Sequence, residues 1–353
     1  MLIRPIFILH SLVFTPPMTT IRDVAKHAGV APITVSRVMN NSGYVSDATR
    51  ARVEAAAAAL NYEPNLLASG LKSRRTQTIA LVLTDITNPF WTAVARGVED
   101  GASSRNYTVI FGNTDESEAK QEQYLSMLLR RRVDGVLLVP ASHTGEMVGR
   151  LRAREIETVV LDRRVDDIEV DIVRGNSEQG ARALADHLLD LGHRRIGMLS
   201  GPADISVSRE RVAGYRAALE AAGIAVAPTL IRYDAFTVEG GQRMTQAMLT
   251  LDSPPTAFLA ANNFIAVGVM RTLHAAGLRV PDDFSLAAFD DLPDNCLQPP
   301  FLTTAVQPAY ELGMTAVERL VARLASEETL PYEEFVLPTE LIVRKSVRQV
   351  CEE

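Results

Sequence analysis

Between residues 78 and 289 the chain alternates short, continuously apolar runs with stretches of helical periodicity. Such runs are typical of parallel strands that helices cover on both faces, so few folds remain open to this chain. The predicted strands are 79–83, 108–111, 135–139, 158–161, 196–199, 230–233, 257–260 and 285–289. Because this is more strands than a single sheet usually contains, we predict an α/β fold with two doubly wound subdomains.

Polar and aromatic side chains follow the predicted strands, where ligands of doubly wound sheets bind. They offer carboxylates, amides, guanidinium groups and the only Trp, which suit a sugar or a similar polyhydroxyl metabolite. The alternative for each residue alone is a helix cap or a turn. The expected ligand-binding residues are Asp85, Asn88, Phe90, Trp91, Asp115, Asp162, Arg163, Asn176, Arg211, Phe236, Asn263 and Asp290. Asn113, Asp234, Asn262 and Asp291 belong to the same wider group of residues that follow strands.

Catalytic motifs are missing from the sequence, which contains no GxGxxG, no phosphate-binding loop, no GxSxG and no His or Cys pair at metal-ligand spacing. We therefore expect no enzyme activity, no cofactor and no metal ion.

The cysteines and the apolar N-terminal run bear on the location of the protein. Cys296 and Cys351 form no disulfide framework, so a cytoplasmic location is the simplest one. The apolar run 5–14 is too short to span a bilayer and no cleavage site follows it, so we expect no membrane segment.

Two short helices with a tight turn between them are predicted near the N-terminus. Thr20 suits the start of the first helix, Gly29 its end, and Pro32 the first position of the second. Val35 and Val38 are expected to face the first helix. The outward face of the second helix then carries hydroxyls, a guanidinium group and small apolar edges, which suit DNA bases and phosphates. An ordinary helical hairpin is the alternative.

Charge is distributed unevenly along the chain. Residues 18–76 contain eight Lys or Arg and four Asp or Glu, a net charge of +4, and residues 1–17 add +1. Because the whole chain carries −7, the remaining residues carry −12. A basic N-terminal segment on an acidic body is the asymmetry expected when only that segment contacts DNA.

These residues together resemble the LacI/GalR (lactose/galactose repressor) family. The similar segments are 20–40, 45–50 and 60–65 in the N-terminal part, and 83–90, 133–136, 191–196, 211–215, 280–285 and 289–291 in the rest. The resemblance implies a three-helix helix-turn-helix head, a hinge helix and a periplasmic-binding-protein-like core of two subdomains.

The resemblance also implies domain boundaries. Residues 1–17 would be a tail or a misassigned start, 18–64 the helix-turn-helix domain, 65–76 the hinge helix and linker, and 77–347 the effector-binding and dimerisation domain. Subdomain 1 would contain 77–174 and 308–331, and subdomain 2 would contain 175–304 and 335–347. The chain would cross between them three times, near 173–177, 303–308 and 331–337.

A homodimer on near-palindromic double-stranded operator DNA is a further implication of the resemblance. Pro32, Ile33 and Arg37 would meet base edges in the major groove, and Leu71 of the hinge helix would enter the minor groove as a wedge. The expected DNA-contacting residues are Thr20, Pro32, Ile33, Thr34, Ser36, Arg37, Asn40, Tyr44, Asn65, Ala68, Leu71 and Lys72. Ile33 stands where some relatives have an amide, and Asn263 stands where the family frequently has Asp.

The implied function is that of a DNA-binding transcriptional regulator in the cytoplasm, at the nucleoid. We expect a repressor whose operator affinity changes when a small metabolite, with a carbohydrate favoured, binds between the two subdomains. The alternative is an exported sugar-binding protein of a transport system, which leaves the basic head unexplained.

Overall fold

The computed structural model describes residues 19–39, 42–62, 75–141, 145–292 and 300–350. The chain divides between Thr76 and Gln77 into two compact units, called the head and the core below. The predicted hinge helix at 65–71 lies outside the described residues. Among the helices that the structure describes, none is long and apolar enough to cross a membrane.

The head contains helices α1 (Ile21–Ala28), α2 (Pro32–Met39) and α3 (Asp47–Ala59). At the start of α1, the backbone N–H and the hydroxyl of Thr20 both donate to the Asp23 carboxylate, at 2.9 and 2.6 Å, and these bonds lower the pKa of Asp23. Gly29 ends α1 at φ +65°, a left-handed conformation that suits glycine. One buried valine from each helix contributes to a shared apolar core: Val24, Val35 and Val53. The predicted pair of helices is confirmed.

The core consists of alternating strands and helices. Its strands are β1 (Thr78–Leu83), β2 (Thr108–Asn113), β3 (Gly135–Leu138), β4 (Glu157–Leu161), β5 (Asp171–Gly175), β6 (Ile196–Ser200), β7 (Ile231–Tyr233), β8 (Ala257–Ala260), β9 (Ser285–Phe289), β10 (Thr303–Val306), β11 (Glu334–Leu337) and β12 (Glu340–Ile342). Its helices are α4 (Pro89–Ser103), α5 (Glu118–Arg131), α6 (Glu146–Arg152), α7 (Ser177–Asp190), α8 (Ser206–Ala221), α9 (Val238–Leu249), α10 (Asn263–Ala275) and α11 (Ala309–Ala325). A short 3₁₀ helix, Pro228–Leu230, precedes β7.

The strands form two sheets of the same connectivity. The order is β11-β5-β4-β3-β1-β2 in the first sheet and β12-β10-β9-β8-β6-β7 in the second. All neighbours are parallel except β10 and β12. Strands β1 to β5 therefore correspond in position to β6 to β10, and a late strand completes one edge of each sheet. The predicted pair of doubly wound subdomains is confirmed, and each has its own apolar core.

Helix α11 returns to the first sheet and packs closely against α4. A Cβ atom on Gly97 would lie 2.1 Å from the carbonyl oxygen of Tyr310, and one on Gly313 would lie 2.3 Å from that of Val94. Glycine at both positions thus lets the two backbones approach, which side chains would prevent.

The chain crosses between the two sheets three times, after β5, after β10 and after β11. Because β11 pairs with β5, residues 334–337 belong to the first subdomain. The third crossing therefore lies between Leu337 and Glu340, later than the expected boundary at residue 335. Subdomain 1 below means the first sheet with α4, α5, α6 and α11, and subdomain 2 means the second sheet with α7 to α10.

Candidate functional site

A cavity of about 360 Å³ lies between subdomains 1 and 2. Residues that follow strands of both sheets line it, as expected for ligand sites in doubly wound folds. From subdomain 1 these are Thr84, Asp85, Asn88, Phe90, Trp91, Asp115, Glu116, Asp162 and Arg163. The remaining lining residues are Pro202, Val207, Arg211, Ala235, Phe236, Thr237, Asn262, Asp290 and Gln307.

Most residues that we predicted to bind ligand line this cavity. They are Asp85, Asn88, Phe90, Trp91, Asp115, Asp162, Arg163, Arg211, Phe236 and Asp290. Asn176 and Asn263 do not line it. Asn176 caps α7, with its Oδ1 accepting from the Gln179 N–H at 3.2 Å. Asn263 is fully buried and bonds across the cleft to Asn88.

Several lining residues were not among those we expected. They are Thr84, Glu116, Pro202, Val207, Ala235, Thr237, Asn262 and Gln307. Asn262 belongs to the wider group of polar residues after strands, and its Oδ1 caps α10 by accepting from the Ile265 N–H at 2.8 Å. Gln307 lies in the second crossing, where no sequence pattern distinguishes it from other linker residues.

Asp162 and Asp290 occupy equivalent positions in the two subdomains. Asp162 follows β4 at φ +62° and Asp290 follows β9 at φ +59°, and each is 7% exposed. Left-handed conformations are uncommon for residues other than glycine, although Asp tolerates them better than most, and they often occur at functional sites. Both carboxylates therefore enter the cavity from a constrained backbone, one from each side.

Burial dominates the electrostatics of these two aspartates. Burial raises the pKa of Asp290 to about 6, while Arg211 and a hydrogen bond from Gln307 oppose the rise. That bond joins Gln307 Nε2 to Asp290 Oδ1 at 3.1 Å. Burial also raises the pKa of Asp162, against the attraction of Arg211 and Arg163. A ligand that donates hydrogen bonds to these carboxylates would satisfy groups that the protein alone leaves poorly solvated.

Arg211 is held in a fixed position on α8. Its guanidinium group lies 4.0 Å above the centre of the Phe289 ring, and its Nε donates to Ser177 Oγ at 3.3 Å. Its Nη1 donates to the carbonyl of Ala261. Because Arg211 is only 3% exposed, it provides a rigid, desolvated positive charge at the cavity wall.

Aromatic rings complete the cavity wall. Phe90 and Trp91 meet edge to face, with ring centroids 4.8 Å apart. On the opposite side the Phe236 ring packs on Gly201, where a Cβ atom would lie 2.1 Å from the ring. Flat apolar faces beside fixed polar groups are suited to a ligand with an apolar face and a polar edge, such as a sugar ring.

Asn88 and Asn263 join the subdomains directly. The side-chain amides exchange two hydrogen bonds of 3.0 Å, one in each direction, and Asn88 Oδ1 also accepts from the Phe90 N–H at 3.0 Å. An Asp at residue 263 would lack the N–H that donates to Asn88. The two amides therefore make an uncharged bridge beside the cavity.

A charged contact, called the clasp below, joins the subdomains at a second place. Glu210 of α8 accepts from Nη1 of Arg164 at 2.8 Å and from Nη1 of Arg174 at 3.1 Å. Both arginines also donate to Glu334 in subdomain 1. None of these side chains lines the cavity. The clasp therefore joins the two subdomains at the cleft without lining the cavity.

Replacing Glu210 with Gln should weaken ligand binding about three- to tenfold, because a partly buried ion pair across the cleft is lost. The ligand contacts remain, so the loss should appear mainly as faster dissociation in stopped-flow fluorescence. Glu220→Gln, on the exposed face of the same helix, is the matched control. Unchanged dissociation in Glu210→Gln would contradict the role of the clasp.

The outward face of α2 presents several of the predicted DNA-contacting residues. Pro32, Ile33 and Arg37 are placed on it, with Pro32 and Ile33 exposed and Thr34 and Ser36 beside them. Tyr44, in the loop after α2, is 90% exposed, and Thr20 caps α1. The remaining predicted contacts lie outside the described residues: Asn40, Asn65, Ala68, Leu71 and Lys72.

Metal binding has no candidate ligands in the described ranges, since no group of three or more His, Cys, Asp or Glu is placed there to hold an ion. The cleft instead offers hydrogen-bonding and aromatic groups. A head with an exposed second helix, in one chain with a ligand cleft between two subdomains, defines the class of ligand-responsive DNA-binding regulators.

Comparison with known proteins identifies the family. Residues 20–65 match the model for bacterial regulatory proteins of the lacI family, and residues 185–347 match the periplasmic binding protein-like domain. The chain is 36% identical to the transcriptional repressor PurR of Photobacterium profundum, over 94% of this chain and 100% of the relative. It is also 36% identical to the ribose operon repressor of Escherichia coli, over 93% of this chain and 100% of the relative.

Solved structures agree with these matches. The Lac repressor dimer bound to operator and the anti-inducer ONPF aligns at a TM-score of 0.81 and 29% identity, covering 94% of this chain and 99% of that one. A LacI family regulator from Enterococcus faecium with bound ribose aligns at a TM-score of 0.70 and 30% identity, covering 78% and 100%.

The chain therefore belongs to the LacI family of bacterial transcriptional regulators. The prediction that it is not an enzyme is confirmed, because its relatives are repressors. Membership also explains the basic head, which the alternative of an exported sugar-binding protein does not.

Proposed function

We propose that this protein represses transcription as a homodimer whose affinity for a near-palindromic operator is controlled by a neutral sugar bound in the cleft. The cavity that both subdomains line carries this proposal, together with the exposed outer face of α2. A regulator of this kind acts on the chromosome, so we infer a cytoplasmic location at the nucleoid. Operator and sugar then influence each other's binding by the same factor.

The charge of the cavity supports a neutral ligand. Asp85, Asp115, Glu116, Asp162 and Asp290 line it, against the two guanidinium groups of Arg163 and Arg211. Carboxylates accept hydrogen bonds from sugar hydroxyls, whereas this excess of negative charge repels an anionic ligand.

The size of the cavity supports a small sugar. Its volume of about 360 Å³ is near the lower end of the range of about 300–1,000 Å³ for ligand pockets. The relative from Enterococcus faecium has bound ribose, and a similar relative is a ribose operon repressor. Ribose is therefore the first ligand to test.

Closure of the cleft is the proposed signal. A ligand that contacts both subdomains changes the angle between them, which in a homodimer changes the separation of the two hinge segments at 65–71. The expected hinge helices lie outside the described residues; helices of that length are marginal in water, so we expect the two copies to need each other's support. Their pairing, with Leu71 as the minor-groove wedge, would then set operator affinity.

Sugar affinity should depend on pH because burial raises the pKa of Asp290 to about 6 in the unliganded protein. Hydroxyl donors favour its ionised form, so the folded, unliganded protein must lose a proton before binding whenever the pH lies below this value. The affinity should fall about tenfold per unit as the pH drops below about 6, and level off above about 7. Calorimetric titrations from about pH 5 to about pH 8 would measure this, and a flat profile would contradict the contact.

Fluorescence of Trp91 tests the proposal directly, because Trp91 is the only Trp of the chain and lines the cavity. Titrating the full-length dimer with D-ribose and a panel of neutral pentoses and hexoses should give a saturable signal for at least one sugar. The L-enantiomer of the active sugar is the control and should give none. If no sugar of the panel gave a saturable response and a nucleobase did, the proposal that the ligand is a sugar would be overturned.

A further inference from the structure

Glu116 and Arg163 form a forked ion pair at the edge of the cavity. Nη1 of Arg163 donates to Glu116 Oε2 at 2.7 Å, and Nη2 donates to Oε1 at 2.6 Å. Nη1 also donates to the carbonyl oxygen of Pro140 at 2.8 Å. The Arg163 side chain is 4% exposed and that of Glu116 39% exposed. Both terminal nitrogens of this buried arginine are therefore already bonded within the protein.

The backbone that presents Glu116 is strained. Asp115 and Glu116 have φ values of +50° and +57°, within a turn that the Ser117 N–H closes by donating to the Thr114 carbonyl at 3.0 Å. Two successive left-handed residues without a glycine are unfavourable, and such strain persists where the surrounding structure requires it. The pair with Arg163 is a bond that holds this turn in place.

The charge of Glu116 also acts inside the cavity. Burial raises the pKa of the neighbouring Asp162, and the negative charge of Glu116 raises it further, while Arg211 and Arg163 lower it. Arg211 is also committed, to Ala261, Ser177 and the Phe289 ring. Neither cavity arginine thus has both terminal nitrogens free, whereas proteins bind phosphates and carboxylates with both nitrogens of such a fork.

We propose that Glu116 makes the cleft selective for uncharged ligands by occupying the guanidinium fork of Arg163. Sugar phosphates and sugar acids resemble the neutral sugar in shape. They would be excluded because their negative charge would find no free guanidinium group in the cleft, and not because of their size. The specificity then comes from a group that disfavours the wrong ligand, the negative charge of Glu116, in the same site that binds the neutral sugar. The inference rests on the proposed sugar site and names the residue that sets its ligand class.

Replacing Glu116 with Ala tests the inference, because it frees the N–H groups of Arg163 Nη1 and Nη2 that now bind Glu116 and removes one negative charge. Trp91 fluorescence and calorimetry on the full-length dimer would give dissociation constants for D-ribose, D-ribose 5-phosphate and D-ribonate. The ratio of anion to neutral-sugar dissociation constants should fall at least tenfold for one of the two anions. Glu116→Gln keeps the shape of the side chain and should give a smaller fall in the same direction.

The matched control is Glu122→Ala. Glu122 of α5 makes the same kind of forked pair with Arg150, but neither residue lines the cleft. This variant should leave the ratio unchanged. Because general damage to the fold weakens both ligands together, the ratio separates specificity from stability.

An unchanged ratio in both Glu116 variants would overturn the inference, as would a wild-type protein that binds either anion as tightly as the neutral sugar. A gain in anion affinity that appears equally in Glu122→Ala would also overturn it. Failure of the wild-type protein to bind any neutral sugar would instead refute the proposed function. The ratio could not then be formed, and the anion dissociation constants alone would decide the inference: a Glu116→Ala variant that binds an anion more tightly than the wild type does supports it, and one that does not overturns it.

Discussion

Replacing Asp290 with Asn should weaken sugar binding about a hundredfold, because two charge-assisted hydrogen bonds of about 1.5–3 kcal/mol each are replaced by weaker ones. The same change should stabilise the unliganded protein. Burial raises the pKa of Asp290 to about 6 from its ordinary value of 3.8. Stability is therefore lost as the pH rises through this window, and at about pH 7.5 the ionised carboxylate costs on the order of 1–3 kcal/mol.

Opposite changes in affinity and stability are the result to look for. Thermal unfolding without sugar at about pH 7.5 and about pH 4 would be measured beside calorimetric binding. The gain in melting temperature should be largest at the higher pH. Asp234→Asn is the control, since Asp234 also follows a strand but pairs with Arg243 outside the cavity. An Asp290→Asn variant that loses both stability and affinity would show that Asp290 is structural.

Replacing Arg37 with Ala should lower operator affinity by about 1–3 kcal/mol, roughly ten- to a hundredfold, and relax the preference at one base position. Arg37 lies on α2 away from the buried Val35 and Val38, so the change removes a DNA contact without opening the core of the head. Sugar binding should be unaffected, since the cleft lies within the core unit.

Selection from a random DNA pool, followed by anisotropy titration of the selected sites, measures both effects. Arg52→Ala removes another exposed positive charge of the head, on α3 rather than α2. It should weaken binding to all sequences to a similar and smaller extent, as a change in general electrostatic attraction does. If Arg37→Ala returned the wild-type consensus, Arg37 would not read a base.

The alternation of apolar strands and helices was sufficient to predict both sheets, but not their edges and crossings. Strands β5, β10, β11 and β12 were not predicted, because polar residues such as Asp171, Glu334 and Glu340 interrupt their apolar pattern. Their strand conformation depends on partners far away in sequence, such as β5 for β11. A local pattern carries no information of that kind.

Most residues of the cavity wall could be predicted because they directly follow strands. The same position did not distinguish a residue that only caps a helix from one that lines the cavity. Asn176 and Asn262 both follow strands and both cap helices, but only Asn262 lines the cavity. A helix cap therefore does not decide by itself whether such a residue reaches the cavity. Gln307 was not predicted because its contact with Asp290 results from the way the chain crosses between the sheets.

Operator affinity of the full-length dimer, measured with and without a saturating cleft ligand, is the most direct test of control by the sugar. Fluorescence anisotropy on a site selected from random DNA would be compared with bulk genomic competitor. We expect a strong preference for that site and a change in its affinity of about 5- to 150-fold when the ligand binds, corresponding to about 1–3 kcal/mol of coupling. The same affinity with and without a ligand that demonstrably occupies the cleft would contradict the account.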